Sequence, residues 1–299
     1  MTVRAAVLDV GSNSVRLLLL ERLTADGAVG ERVGTVTGLR RGALPDGSVC
    51  ADALARLDAC LVDYAARIAA AGSPPVVAVG TAAVREAPNH GAIEDVFRRH
   101  LGSALTIVTG EQEATLAFTG ARMALPPDAG PCRVIDIGGA STEVVEGDAS
   151  GPRNLVSLPL GVVRDIDKSI DEAHDTAERL VATATAGFAS EGPVVGLAGT
   201  VTQAAALCAG FYDPQRIHRM RLSRSDIEAA LGTASALDLP ARRRMPGMHP
   251  DRADVIVNGM AILLGAMSAL GVAEVIVSER DLLDGIAADP RLVPVARTA

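Results

Sequence analysis

An ungapped internal repeat divides this chain of 299 residues. AAVLDVGSNSVRLLLL at residues 5–20 aligns with CRVIDIGGASTEVVEG at residues 132–147, placing Val7 on Val134, Asp9 on Asp136, Gly11 on Gly138 and Ser14 on Ser141 at a constant offset of 127 residues. In each copy an apolar run ends in Asp-x-Gly, a short polar turn follows, and a second apolar run leads away, the pattern of two buried strands joined by a tight turn. One such turn is an ordinary hairpin whose Asp caps its own backbone. Two in register mark a duplication, and the chain is long enough to give each copy its own domain.

Between the copies, strand patterns alternate with helical ones, which predicts α/β domains. Val33 to Leu39 supplies a third strand, and Asp52 to Ala71 carries helical apolar spacing through Leu54, Leu57, Leu61, Tyr64 and Ile68. PPVVAVGTAAVREAPN reads as a buried strand running into a short helix, Ile93 to Leu101 as an amphipathic helix, LTIVTG as a strand and GEQEATLAFTGARMAL as a helix. The stretch PPDAGP is the domain boundary, giving an N-terminal domain of residues 1–124 and a C-terminal domain of 125–299 whose last helix is free to pack back on the first. After the second turn come a strand near Asn154 to Leu158, a helix near Asp171 to Ala189, the strand PVVGLAG, a helix from Thr200 to Ala209, further helices, and EVIVSERDLLDGI as a strand turning into a helix. The apolar helix in ADVIVNGMAILLGAMSALG packs either internally or as a homodimer interface, a choice that periodicity leaves open.

A net charge of -8 and a pI near 5.2 argue against a nucleic-acid binder or a binder of anionic membranes, which carry basic footprints. Aromatics at 2% with no Trp leave no base-stacking platform. The four cysteines lack zinc spacing, the N-terminal residues do not read as a secretory leader, and no apolar run is long enough for a membrane span, so a cytoplasmic protein is expected.

The repeated turns point to phosphate. Glycine lets backbone N–H groups approach an anion closely, successive N–H groups form a concavity for it, and serine hydroxyls add donors. An aspartate at the same place repels phosphate unless a divalent cation lies between them or the carboxylate polarises a water, and Mg²⁺ suits a carboxylate, waters and phosphate oxygens.

Taken in order, DVGSNSVRLLL, GTAAVREAPN, TGEQEA, DIGGASTE, SLPLGVVR, GLAGTVTQ, PGMHPDRADVIVNG and VSERDLLDGI closely resemble the exopolyphosphatase/guanosine pentaphosphate phosphatase (Ppx/GppA) family, within the actin, sugar-kinase and Hsp70-like superfamily. The resemblance runs from Ala5 to Ile286. It implies two duplicated actin-like (ribonuclease H-like) α/β domains with an interdomain phosphate-binding cleft, and hydrolysis of a terminal phosphoanhydride. The implied substrate is inorganic polyphosphate, with guanosine pentaphosphate as the alternative and a sensor of either, without hydrolysis, as the reading from another class. Glu113 of TGEQEA matches the family's catalytic carboxylate, which orients and deprotonates the attacking water; by itself it reads first as a solvated acid in the first turn of a helix. Arg85 matches an arginine that clamps phosphate oxygens. The resemblance also implies phosphate binding by Gly11, Ser12, Asn13, Ser14 and Arg16 in the first turn and by Gly138, Gly139, Ala140 and Ser141 in the second. Asp136, Glu143 and Asp9 are the implied ligands of Mg²⁺, with Mn²⁺ as its substitute. Arg16 takes the place of Glu143 in the internal alignment, so one copy presents a cation where the other presents an anion.

Two departures from the family pattern stand out. Ala140 replaces the third Gly of DIGGGSTE, which would be strained if that position required a positive φ. Gln112 stands where many members carry an acid, which leaves Glu113 as the sole carboxylate of that pair. Nine further arginines, Arg40, Arg41, Arg216, Arg219, Arg221, Arg224 and Arg242 to Arg244, read as solvated surface charge or as a path for a polyanion.

Overall fold

The structure is a computed structural model that describes residues 2–189 and 192–294. The chain divides into two compact units, Met1–Gly120 with Leu282–Ala299, and Ala121–Asp281. The division falls at the end of a helix, before the Pro-rich stretch that the sequence marks as the boundary.

The first unit contains β1 (Ala5–Val10), β2 (Ser14–Thr24), β3 (Gly27–Val36), α1 (Ala51–Ala70), β4 (Val76–Gly80), α2 (Ala82–Arg85), α3 (His90–Leu101), β5 (Leu105–Ile107) and α4 (Gly110–Arg122). Its sheet runs β3-β2-β1-β4-β5, with β1 antiparallel to β2 and parallel to β4. Every residue of β1 is buried, as expected of a central strand covered on both faces. The third strand is Gly27–Val36 and not Val33 to Leu39: β2 and β3 pair from Thr24 opposite Gly27, so a two-residue turn at Ala25 and Asp26 closes the hairpin. Gly27, Gly30 and Gly34 thin out the apolar alternation that would have shown this strand. Helix α1 buries Leu57, Leu61, Tyr64 and Ile68 against the sheet, and the Tyr64 hydroxyl reaches Val15 O at 2.9 Å and Thr35 Oγ1 at 3.1 Å.

The second unit contains β6 (Cys132–Ile137), β7 (Thr142–Asp148), β8 (Gly151–Leu158), α5 (Ile170–Ala184), β9 (Val194–Leu197), α6 (Ala198–Ala209), α7 (Pro214–Ile217), β10 (Arg221–Ser223), α8 (Arg224–Ser235), α9 (Leu239–Arg242), α10 (Ile256–Ala269) and β11 (Glu274–Val277). The order β8-β7-β6-β9-β11 repeats that of the first sheet, and β10 is added at the edge. Helix α5 stops at Ala184, short of Ala189, where the Thr185 backbone N–H and hydroxyl both donate to Val181 O. The apolar helix α10 packs inside this unit: Ile256 through Met267 are all buried, and α5 comes so close at Gly265 that a Cβ there would stand 2.3 Å from the His174 carbonyl oxygen. The last helix, α11 (Leu282–Ala288), belongs to the first unit, where the buried Asp284 accepts from the Ala28 N–H at 2.8 Å and from Arg32 at 2.6 Å. Among the described residues, no helix is long and apolar enough to cross a membrane.

Candidate active site

In the first unit the residues of interest gather at the carboxyl ends of β1, β4 and β5, the end at which open α/β sheets bind ligands. Asp9 on β1 faces Arg16 on β2 as a register pair, and Arg16 Nε and Nη2 both approach Asp9 Oδ2, at 2.9 and 2.6 Å. The turn between these strands is closed by Gly11 N–H donating to Ser14 O at 3.0 Å; a Cβ on Gly11 would crowd that same oxygen at 3.1 Å. Its carbonyls are tied from one side, Ser12 O by Arg40 N–H and Asn13 O by Gly38 N–H. Among the described residues the N–H groups of Ser12 and Asn13 have no acceptor, and the buried Asn13 Oδ1 has no hydrogen-bond partner.

Arg85, the last residue of α2, donates from Nη1 to Val108 O at 2.7 Å and to Glu113 Oε2 at 3.1 Å. Glu113 lies in the first turn of α4 and is only 7% exposed, so the solvated-acid reading fails. Gln112 has its own employment. Its Oε1 accepts from Thr109 N–H at 2.9 Å, and its N–H donates back to Thr109 Oγ1 at 3.2 Å, a reciprocal capping box.

The second unit repeats the turn. Asp136 opposes Glu143 across β6 and β7, and Gly138 N–H donates to Ser141 O at 2.9 Å. Gly138 O accepts from Val162 N–H, and Gly139 O accepts from both Val163 and Arg164 N–H, while the N–H groups of Gly139 and Ala140 have no acceptor among the described residues. Ala140 is buried, and its φ is not positive, so its Cβ causes no strain. Ser141 is buried beside it, and the buried Glu143 accepts from Ser157 Oγ at 2.7 Å. Both turns therefore direct their carbonyls into the protein and leave amide donors for something else.

Two carboxylates on directly opposed residues of neighbouring strands repel each other, and a hard divalent cation relieves that repulsion with the oxygen ligands it prefers. Asp136 and Glu143 fit such an ion. Asp9 differs, because Arg16 already supplies its counter-charge.

The segment SLPLGVVR carries none of the predicted site residues. That segment braces the second turn: Gly161 lies so close that a Cβ would stand 2.5 Å from Gly139 O, Arg164 Nε donates to Ala140 O at 2.7 Å, and Asp165 Oδ2 accepts from Gly161 N–H. The small residue before two β-branched ones was the available signal. Gly199, in the first turn of α6, is likewise covered by the Arg252 guanidinium, and Ala198 before it adopts φ 63°, a strained conformation. Several of the nine arginines brace carbonyls: Arg242 reaches those of Ala234, Leu237 and Ala253, Arg219 those of Ala124 and Met123, and Arg224 that of Leu264.

The profile of the Ppx/GppA phosphatase family matches residues 34–291. Exopolyphosphatase 2 of Mycobacterium tuberculosis is 33% identical to the chain over 95% of its length and 97% of the relative's. The solved Ppx/GppA family member of Aquifex aeolicus is 27% identical, with a TM-score of 0.77 and 95% of each chain covered. An exopolyphosphatase from Cytophaga hutchinsonii shares the fold with a TM-score of 0.86 at 22% identity, covering 98% of this chain and 99% of its own.

Proposed function

Since the chain belongs to the Ppx/GppA phosphatase family, we propose that it is an exopolyphosphatase that releases the terminal phosphate of inorganic polyphosphate by attack of water. The observation that carries the reading is the pair of repeated turns whose carbonyls are bonded inward while the amides of Ser12, Asn13, Gly139 and Ala140 are left for an anion. The Mycobacterium relative's name supports polyphosphate as the substrate class.

Phosphoryl transfer asks a protein chiefly for positioning and charge neutralisation. Glu113 orients the attacking water and takes its proton. Arg85 holds Glu113 in place and offers its remaining N–H groups to phosphate oxygens, where charge develops. Each turn offers phosphate oxygens its own donors, the amides of Ser12 and Asn13 with the hydroxyls of Ser12 and Ser14 in the first unit and the amides of Gly139 and Ala140 with the Ser141 hydroxyl in the second. Asp136 and Glu143 hold Mg²⁺, which when bound neutralises phosphate charge. Arg16 holds the Asp9 carboxylate in place through Oδ2.

The test is phosphate release, with Mg²⁺, by the wild type and Glu113→Gln, from long-chain polyphosphate and from guanosine pentaphosphate. Release from polyphosphate that collapses in the variant is expected. Release from the nucleotide alone would make the protein a guanosine pentaphosphate phosphatase, and tight binding of either without release would make it a sensor.

A further inference from the structure

The start of α4 is built as a holder. In a common helix start, a capping box joins the first residue outside the helix to the third inside it, and a hydrophobic staple joins the residue before the cap to the fourth inside. Here Thr109 and Gln112 form the box, with both reciprocal bonds present. The residues at the staple positions are Val108 and Glu113, and no apolar contact can join them because one is a carboxylate. Arg85 replaces the staple: a single guanidinium nitrogen holds the backbone oxygen of Val108 and the carboxylate of Glu113 together. Glu113 N–H completes the turn by donating to Thr109 O at 2.9 Å. The position of the Glu113 carboxylate is thus fixed twice, through its side chain by Arg85 and through its backbone by the box.

We propose that Thr109 and Gln112 are positioning residues for the reaction, setting the angle at which α4 presents Glu113; this rests on the reading of Glu113 as the base. Gln112 touches no substrate in this role. Gln and Glu close a capping box equally, and an amide does so without adding a second negative charge next to Glu113.

Gln112→Met and Thr109→Val remove the box bonds at nearly constant size, and Met matches Gln in helix propensity. Steady-state hydrolysis of polyphosphate should show kcat reduced about tenfold in each with KM unchanged, because a frayed helix start misplaces the base and leaves the phosphate contacts intact. Gln112→Glu and Thr109→Ser keep the box and should restore kcat to within about twofold of wild type. Ser223→Ala breaks a comparable cap, that of α8, where Ser223 Oγ accepts from Asp226 N–H at 3.1 Å. It should lower Tm as much as Thr109→Val does and leave kcat unchanged. Wild-type kcat in Gln112→Met, or an equal fall in kcat in Ser223→Ala, overturns the proposal. Glu113→Gln, assayed beside these, separates the two levels: full activity there sinks the base assignment itself, whereas its loss together with wild-type kcat in Gln112→Met sinks only the positioning role.

Discussion

Arg85 and Glu113 are joined at 3.1 Å by the same guanidinium nitrogen that holds the carbonyl of Val108 at 2.7 Å, so the cation and the carboxylate share one anchor on the backbone. Groups bound in this way act as a unit, and their deletions do not add. Arg85→Ala and Glu113→Gln are each expected to lower kcat/KM by roughly 10²- to 10³-fold, and the double variant should lose less than the product of the two. A double-mutant cycle on phosphate release measures this; strictly multiplicative losses would mean that the two residues work independently.

Gly161 is a packing glycine, since the place of its missing Cβ lies 2.5 Å from Gly139 O. Gly161→Ala pushes the bracing segment off the second turn, and overpacking of this kind costs about 1–3 kcal/mol. Urea unfolding should register that cost. The displaced turn should also raise KM for polyphosphate, whereas a similar alanine at Gly232, which has open space around it, should leave KM unaltered.

Asp136→Asn removes one of the two carboxylates opposed across β6 and β7 and with it most of the electrostatic reason for a cation there. The Mg²⁺ concentration giving half-maximal activity should rise about tenfold or more, and calorimetric Mg²⁺ binding should weaken in parallel. Asp9→Asn should affect Mg²⁺ binding far less, because Arg16 already balances that carboxylate.

Glu172 closes the capping box of α5, and hydrogen bonds from the Ser169 backbone N–H and hydroxyl hold its carboxyl below the usual glutamate range. A depressed carboxylate stabilises the fold at pH above its unfolded value of about 4.3, and that contribution disappears as pH falls through the folded value. Tm of the wild type should therefore fall more steeply below about pH 4.3 than that of Glu172→Gln, whose amide closes the box at every pH. Parallel Tm curves for the two proteins would contradict this.

The turns were legible because a strand pair around Asp-x-Gly leaves a local signature, and its repetition raised the signal above that of either copy; the register pairs Asp9 with Arg16 and Asp136 with Glu143 fall where the ungapped alignment places them. The third strand was displaced because glycines at 27, 30 and 34 interrupt its alternation. The pairing of Arg85 with Glu113 could not be read at all, since 28 residues separate them and only the parallel strands β4 and β5 bring α2 to the start of α4. The bracing of the second turn was hidden for a similar reason. Its donors are backbone N–H groups, to which the sequence assigns no particular side chain.

Helix α11 follows the second unit in the chain and belongs to the first. Its Gly285 lies against the Leu116 backbone of α4, and its Asp284 ties down the start of β3, so the unit that begins the chain is finished by residues that follow the whole of the other unit. While the chain is being synthesised, the helix carrying Glu113 lacks this contact until α11 has left the ribosome. A chain cut between Asp281 and Leu282 would keep the second unit whole and leave the helix that carries Glu113 without this contact.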